Sequence, residues 1–169
     1  MDNIVLIGMP GVGKSTAGVV LAKVLGYKFI DADLLIQEEE QRLLHEIISQ
    51  DGTEKFLEIE NRVNAHIQTE RTVIATGGSV VYGTEAMEHL KTIGTVVYLK
   101  LCYDILEKRL DNIKGRGVVL KDGQTLRDLY EEREPLYEKY ADITIDEADL
   151  SVEETIALIM EVYAENTEV

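Results

Sequence analysis

"GMPGVGKST", residues 8 to 16, decides how the rest of the chain is read. It fits the spacing G-x-x-x-x-G-K-[ST], overlaps the end of the apolar run "NIVLIG" at 3 to 8, and leads into a helical pattern over 14 to 25. A strand, a glycine-rich turn and a helix in that order bring consecutive backbone N–H groups toward one point, and the helix N-terminus adds a field that favours an anion. Lys14 stands where an ammonium reaches β and γ phosphates, and Ser15 where a hydroxyl meets Mg²⁺. Gly11, Val12, Gly13, Lys14, Ser15 and Thr16 are therefore read as the cradle of a nucleoside triphosphate. An ordinary glycine turn before a helix needs neither the lysine nor the hydroxyl.

Four more runs read as strands: "YKFID" at 27 to 31, "TVIAT" at 72 to 76, "TVVYLK" at 95 to 100 and "DITID" at 142 to 146. They are continuous and rich in Val and Ile, the pattern of strands buried on both faces. Helical patterns lie between them at 33 to 50, 53 to 69, 84 to 91, 103 to 111 and 124 to 139, and Ser151 with Glu154 opens a last helix in capping-box spacing. Alternating strands and helices predict an α/β fold with a parallel five-stranded sheet covered on both sides. Two segments exceed a minimal strand–helix repeat: the helical insertion at 33 to 69, and "DNIKGRGVVLKDGQ" at 111 to 124, with its three glycines. Both are candidates for covering a ligand.

A chain of 169 residues with 45 % hydrophobic content predicts one domain, 1 to 169, with a core of its own. Its formal charge of -15 repels nucleic-acid backbones and anionic membranes, so an anionic ligand must find its cations locally. No apolar run approaches the roughly 20 residues of a membrane span, and a cytoplasmic monomer without nucleic-acid or membrane partners is expected. Cys102, the single cysteine, follows "VVYLKL" and is read as a small buried hydrophobe. His45, His66 and His89 fall in no metal-ligand spacing and are read as structural or surface residues.

A phosphate loop alone does not separate kinases from other nucleotide-using proteins. The chain lacks the N-K-x-D segment of GTPases, and no acid of the usual Walker B kind follows the third or fourth strand. The carboxylates nearest the loop are Asp31 and Asp33 in "FIDAD", at the end of the second strand, where ligands collect on a parallel sheet. Asp33 also suits a helix N-cap. In "TEKFLEIENRV", 53 to 63, Phe56, Ile59 and Val63 continue to Ile67 as one helical stripe, while Leu57 lies off it beside Glu60, Asn61 and Asn64.

With these motifs in order, the chain resembles the shikimate kinases over nearly its whole length. "FIDAD" resembles the family's D-x-D, "FLEIE" stands where the family has F-R-x-x-E, "TGGSVV" in place of its G-G-G, and "REPLYEKYAD" matches its R-x-P-L-Y segment. The resemblance implies a three-layer P-loop fold related to nucleoside monophosphate kinases, with ATP and Mg²⁺ as cofactors. It further implies a substrate-binding helical segment at about 33 to 61 and a lid at about 111 to 124. By resemblance, Asp31 organises Mg²⁺ together with Ser15, and Asp33 binds the substrate hydroxyls and accepts the proton of the attacking one. Gly77 and Gly78 line the substrate pocket, Arg133 holds the substrate carboxylate, Arg116 is the lid arginine at the phosphates, and Arg109 stacks on adenine. From the residues alone, Arg133 also suits a salt bridge on the acidic helix "YEEREPLYEK", and Arg109 an exposed helix face.

Three positions depart from the family. Leu57 replaces the arginine of F-R-x-x-E and offers no donor to a carboxylate, Ser79 replaces the third glycine, and the lid reads "GRGVVL" where the family has R-P-L-L. These changes fall on the substrate half, with Leu57 expected as a wall of the pocket. Three readings follow: a shikimate kinase or close relative; a kinase of the same fold for another hydroxylated metabolite; or a non-catalytic nucleotide-binding module. Retention of Asp31, Asp33, Arg116 and Arg133 together argues against the last.

Overall fold

The computed structural model describes residues 3–111 and 122–167. Strands β1 (Asn3–Ile7), β2 (Lys28–Asp31), β3 (Thr72–Ala75), β4 (Gly94–Lys100) and β5 (Ile143–Asp146) form one parallel sheet in the order β2-β3-β1-β4-β5. The chain moves from β1 outward to β2 and then returns across the sheet. Right-handed crossovers therefore place α1 (Lys14–Leu25) on one face, and α4 (Thr53–Ala65), α5 (Thr84–Ile93) and α7 (Leu126–Tyr140) on the other. After β5 the last helix, α8 (Val152–Thr167), comes back against α1. Its start has the expected capping box: Glu154 N–H donates to Ser151 Oγ at 3.1 Å and Ser151 N–H to Glu154 Oε2 at 2.7 Å.

All five residues of β1 are buried, as are those of β3, which explains their unbroken apolar runs. The predicted helix over 33 to 50 is two helices, α2 (Ala32–Glu40) and α3 (Leu44–Asp51). Gln41 takes a left-handed conformation (φ 52°) that ends α2, and Arg42 holds the corner by pairing with Asp51 at 2.8 Å and Glu40 at 3.4 Å. α4 ends at Ala65, short of the predicted 69, though Ile67 remains buried beyond it. Across α2, α3 and α4, Ile36, Ile47, Phe56, Ile59 and Val63 form a small apolar cluster distinct from the core around the sheet. The insertion thus has its own nucleus.

Cys102 is exposed, contrary to the expectation of burial. It lies past the end of β4 and before α6 (Tyr103–Asp111), in a connection whose backbone turns at the surface. Among the described residues no helix is long and apolar enough to cross a membrane. Arg116 and most of the segment read as a lid, 111 to 124, lie outside the described residues.

Candidate active site

A cavity of about 420 Å³ opens at the C-terminal edge of the sheet, where the chain leaves β1, β2 and β3. This is within the roughly 300–1,000 Å³ of small-molecule sites. From β1 come Pro10, Gly11, Gly13 and Lys14, from β2 Asp31 and Asp33, and from β3 Thr76, Gly77, Gly78 and Ser79. Phe56 and Glu60 of α4 and Arg133 of α7 add to the wall, with further residues from α2 and α3. The sequence motifs, scattered over more than a hundred residues, meet here because a parallel sheet gathers its strand ends on one edge.

The phosphate loop is ordered from within. Gly13, at φ 91°, precedes α1 in a conformation that a side chain would strain. Lys14 is only 8 % exposed, and its Nζ donates to the carbonyls of Gly8 at 2.7 Å and Met9 at 2.8 Å. The ammonium is thereby held at the turn. Ser15 Oγ donates to Asp31 Oδ2 at 2.8 Å, while Asp31 Oδ1 accepts from the backbone N–H of Asp33 at 3.0 Å and of Leu34 at 3.3 Å. Asp31, and not Asp33, is thus the N-cap of α2, which leaves the Asp33 side chain outside that role. Among the described residues no group of three His, Cys, Asp or Glu is placed to hold a metal. The hard oxygens of Ser15 and Asp31 nevertheless fit Mg²⁺, which takes few protein ligands and completes its shell with phosphate and water.

The substrate half is built around Glu60. A Cβ at Gly77 would meet Glu60 Oε2 at 2.7 Å and Asp33 Oδ1 at 2.8 Å, so a side chain there would push the two carboxyl groups from their present positions. At Gly78 a Cβ would meet Pro10 Cδ at 2.8 Å and Arg133 Nη1 at 3.0 Å. Arg133 is 1 % exposed, which rules out the reading as a surface ion pair. Its Nε donates to Tyr82 Oη at 3.4 Å, and its guanidinium lies 5.3 Å from the centre of the Tyr82 ring. Tyr137, from the same helix, donates to the Gly78 carbonyl at 2.6 Å and fixes the glycine turn to α7.

Leu57 does not line this cavity. It is half-buried and packs against the cluster of the insertion, whereas Phe56 and Glu60, on either side of it in α4, reach the wall. The other departure, Ser79, has a direct structural role: its hydroxyl donates to Glu60 Oε1 at 2.6 Å. A serine donor thus meets the glutamate of the motif that in the family also carries an arginine. Glu60 is 2 % exposed, and its Oε2 has no hydrogen-bond partner among the described residues. Burial, reinforced by Asp33, pushes its carboxyl up from 4.5 to about 7, against the opposing pull of the Ser79 hydroxyl, Arg133 and Lys14.

A folded-state pKa raised in this way means that the native protein keeps a proton which the unfolded chain releases. Stability is therefore full below about 4.5, falls as pH rises toward 7, and stays reduced above it. Glu60→Gln removes that loss and keeps an oxygen for Ser79. Thermal melting of the variant is expected to match wild type near pH 4.5 and to exceed it by roughly 5 to 10 °C at pH 8, about 3 kcal/mol. Equal melting temperatures at pH 8 would show that Glu60 ionises in the fold without cost.

A second cavity, of about 130 Å³, lies on the other side of the loop, between Val12, Gly13, Thr16 and Ala17, Arg109 of α6, and Glu147, Leu150, Val152 and Thr155 near the start of α8. Arg109 is thus beside the phosphate loop and only partly exposed, not on an outer helix face. Sequence reasoning missed Glu60, His45 and Glu147 as cavity residues. Glu60 was signalled by its place beside Leu57, off the apolar stripe; His45, exposed on α3, and Glu147, just past β5, carried no signal.

The shikimate kinase family model matches residues 10–164. A shikimate kinase of Thermodesulfovibrio yellowstonii is 37 % identical over 166 residues, covering 96 % of this chain and 95 % of that protein. One from Caldanaerobacter subterraneus is 34 % identical over 168 residues, with 96 % of each covered. Among solved structures, the shikimate kinase from Acinetobacter baumannii in complex with shikimate superposes with a TM-score of 0.87 at 31 % identity, over 98 % of this chain and 94 % of that one. A gluconokinase from Sinorhizobium meliloti, with a TM-score of 0.55 at 19 % identity over 98 % of this chain and 95 % of that one, shares the fold. With its motifs gathered at one sheet edge and its length matched almost end to end, the chain belongs to the shikimate kinase family.

Proposed function

We propose that the protein transfers the γ-phosphate of ATP to a hydroxyl of shikimate, the 3-hydroxyl by family resemblance, in aromatic amino acid biosynthesis. The observation that carries this reading is that Lys14, Asp33 and Arg133 line one cavity. Phosphoryl transfer asks the protein for alignment and charge more than for covalent chemistry. Ser15 and Asp31 would hold Mg²⁺, which when bound would supply further neutralisation of phosphate charge. Backbone N–H groups of residues 11 to 16 hold the phosphates, and Lys14 brings its ammonium to their bridging region. Asp33 orients the attacking hydroxyl and accepts its proton. Arg133, buried and braced by Tyr82, offers a fixed fork to the substrate carboxylate. Arg116 is assigned to the transferring phosphate, Arg109 to the adenine face, and the segment about 111 to 124 to excluding water. Gly77 and Gly78 let the substrate come against the backbone. The protein is taken to act as a cytoplasmic monomer.

Leu57 supports a second reading within the same fold. A pocket with one arginine and a buried acid, and no second cation at position 57, prefers a less anionic hydroxylated acceptor than a pocket with two arginines. Coupled ADP release with ATP and Mg²⁺ separates the two. Saturable turnover on shikimate at ordinary metabolite concentrations is expected; turnover confined to neutral polyols would favour the second reading, and no turnover on any acceptor would overturn both.

A further inference from the structure

Glu147 has no role in the chemistry above, yet it is 5 % exposed and lines the 130 Å³ cavity with Arg109, Val12, Gly13 and Thr16. Its backbone is fixed on both sides: its N–H donates to the Lys100 carbonyl at 2.9 Å, and its carbonyl accepts from Leu150 N–H at 3.0 Å. The side chain is not similarly satisfied, since Oε2 is buried without a hydrogen-bond partner among the described residues. A buried carboxyl left incomplete at a cavity wall is destabilising unless something supplies the missing bond. The cavity adjoins the phosphate loop on the side of Thr16 and of Arg109, the residue assigned above to the adenine face.

We propose that Glu147 is the base-reading residue of this nucleotide site, its carboxyl group meeting the hydrogen-bonding edge of an adenine seated against Arg109. The proposal rests on the nucleotide reading given above and goes beyond it by naming what selects the base. A neutral carboxyl presents one donor and one acceptor, and an ionised one presents two acceptors. Adenine's edge carries an amine donor beside the N1 acceptor, which the neutral form matches. Guanine's edge carries two adjacent donors, N1–H and the N2 amine, which the ionised form matches. The same side chain therefore favours adenine when protonated and loses that preference when it ionises.

The charged groups facing Glu147 are Arg109 from α6, Lys14 from α1 and Asp146 from β5. Burial outweighs the two cations and, with Asp146, pushes the carboxyl up to about 7. The neutral form thus outnumbers the ionised form by about ten to one at pH 6, and the ratio reverses at pH 8.

Equilibrium binding of non-hydrolysable ATP and GTP analogues with Mg²⁺, at pH 6 and pH 8, tests this without reference to any acceptor. Titration of the phosphates is common to both nucleotides and cancels in the affinity ratio. For the wild-type protein the ATP-over-GTP preference is expected to fall about tenfold or more from pH 6 to pH 8. For Glu147→Gln, whose amide keeps one donor and one acceptor at every pH, the preference should stay at the pH 6 value throughout. Glu147→Thr, a smaller replacement included in case the glutamine packs poorly, should discriminate least and without pH dependence. A ratio in wild type that does not change with pH, or that changes equally in Glu147→Gln, overturns the proposal. Binding of neither nucleotide overturns the nucleotide reading itself and this inference with it.

Discussion

Lys14→Ala is expected to lower kcat by on the order of a thousandfold, the scale of removing a group that stabilises transition-state charge. The effect has two separable parts. The ammonium is the one cation that the phosphate loop itself carries, and the protein's charge of -15 provides no diffuse attraction for an anion to replace it. It is also a structural donor, since its Nζ satisfies the carbonyls of Gly8 and Met9. Removing it leaves those two acceptors exposed to whatever water can enter, at a cost of roughly 1–3 kcal/mol in stability. Steady-state kinetics with a melting curve on the same sample distinguishes the parts: a modest fall in melting temperature with activity lost is the expected pair. Retained activity in a folded variant would remove the phosphate-loop mechanism.

Leu57→Arg is expected to tighten the apparent affinity for shikimate about ten- to a hundredfold, as one charge-assisted contact to a carboxylate provides roughly 1.5–3 kcal/mol. Leu57 itself packs on the small cluster of the insertion, but the residues flanking it in α4 reach the cavity, and an arginine has a longer stem and a polar head that leaves apolar surroundings. The KM for shikimate reports the change, with the KM for ATP as an internal control. An unchanged or raised KM for shikimate would mean that the Glu60–Ser79 bond, 2.6 Å, has closed the place an arginine would occupy, and that the acceptor is a different one.

The fold was legible because its signals are local: Val and Ile runs for strands buried on both faces, and a glycine-lysine-serine turn between a strand and a helix. The meeting of Asp31 and Asp33 with the loop of Lys14 was legible too, since a parallel sheet collects its strand ends on one edge; Gly77, Gly78 and Arg133 were placed with them only through the family resemblance. What escaped was of two kinds. The break at Gln41 depends on one residue entering the left-handed region and on Arg42 pairing with Asp51 nine positions on, and neither interrupts the helical periodicity. The meaning of Ser79 depends on Glu60, nineteen residues earlier in sequence and 2.6 Å away in space. Read along the chain, Leu57 and Ser79 are unrelated departures; in the fold, Leu57 is three residues from Glu60 in α4 and Ser79 is bonded to it. Cys102 failed for a simpler reason: an apolar neighbourhood in sequence ended one residue before the chain turned outward.

The separate cluster of Ile36, Ile47, Phe56, Ile59 and Val63 bears on how this protein came to differ from its relatives. Because the α2–α4 segment is knitted by its own five side chains, replacements on its pocket-facing side do not disturb the packing that secures the phosphate loop to the sheet. Selection can therefore rewrite the acceptor half by single steps while the half that handles phosphate stays constant. The same division makes this segment the natural place to graft loops from relatives when a new acceptor is wanted.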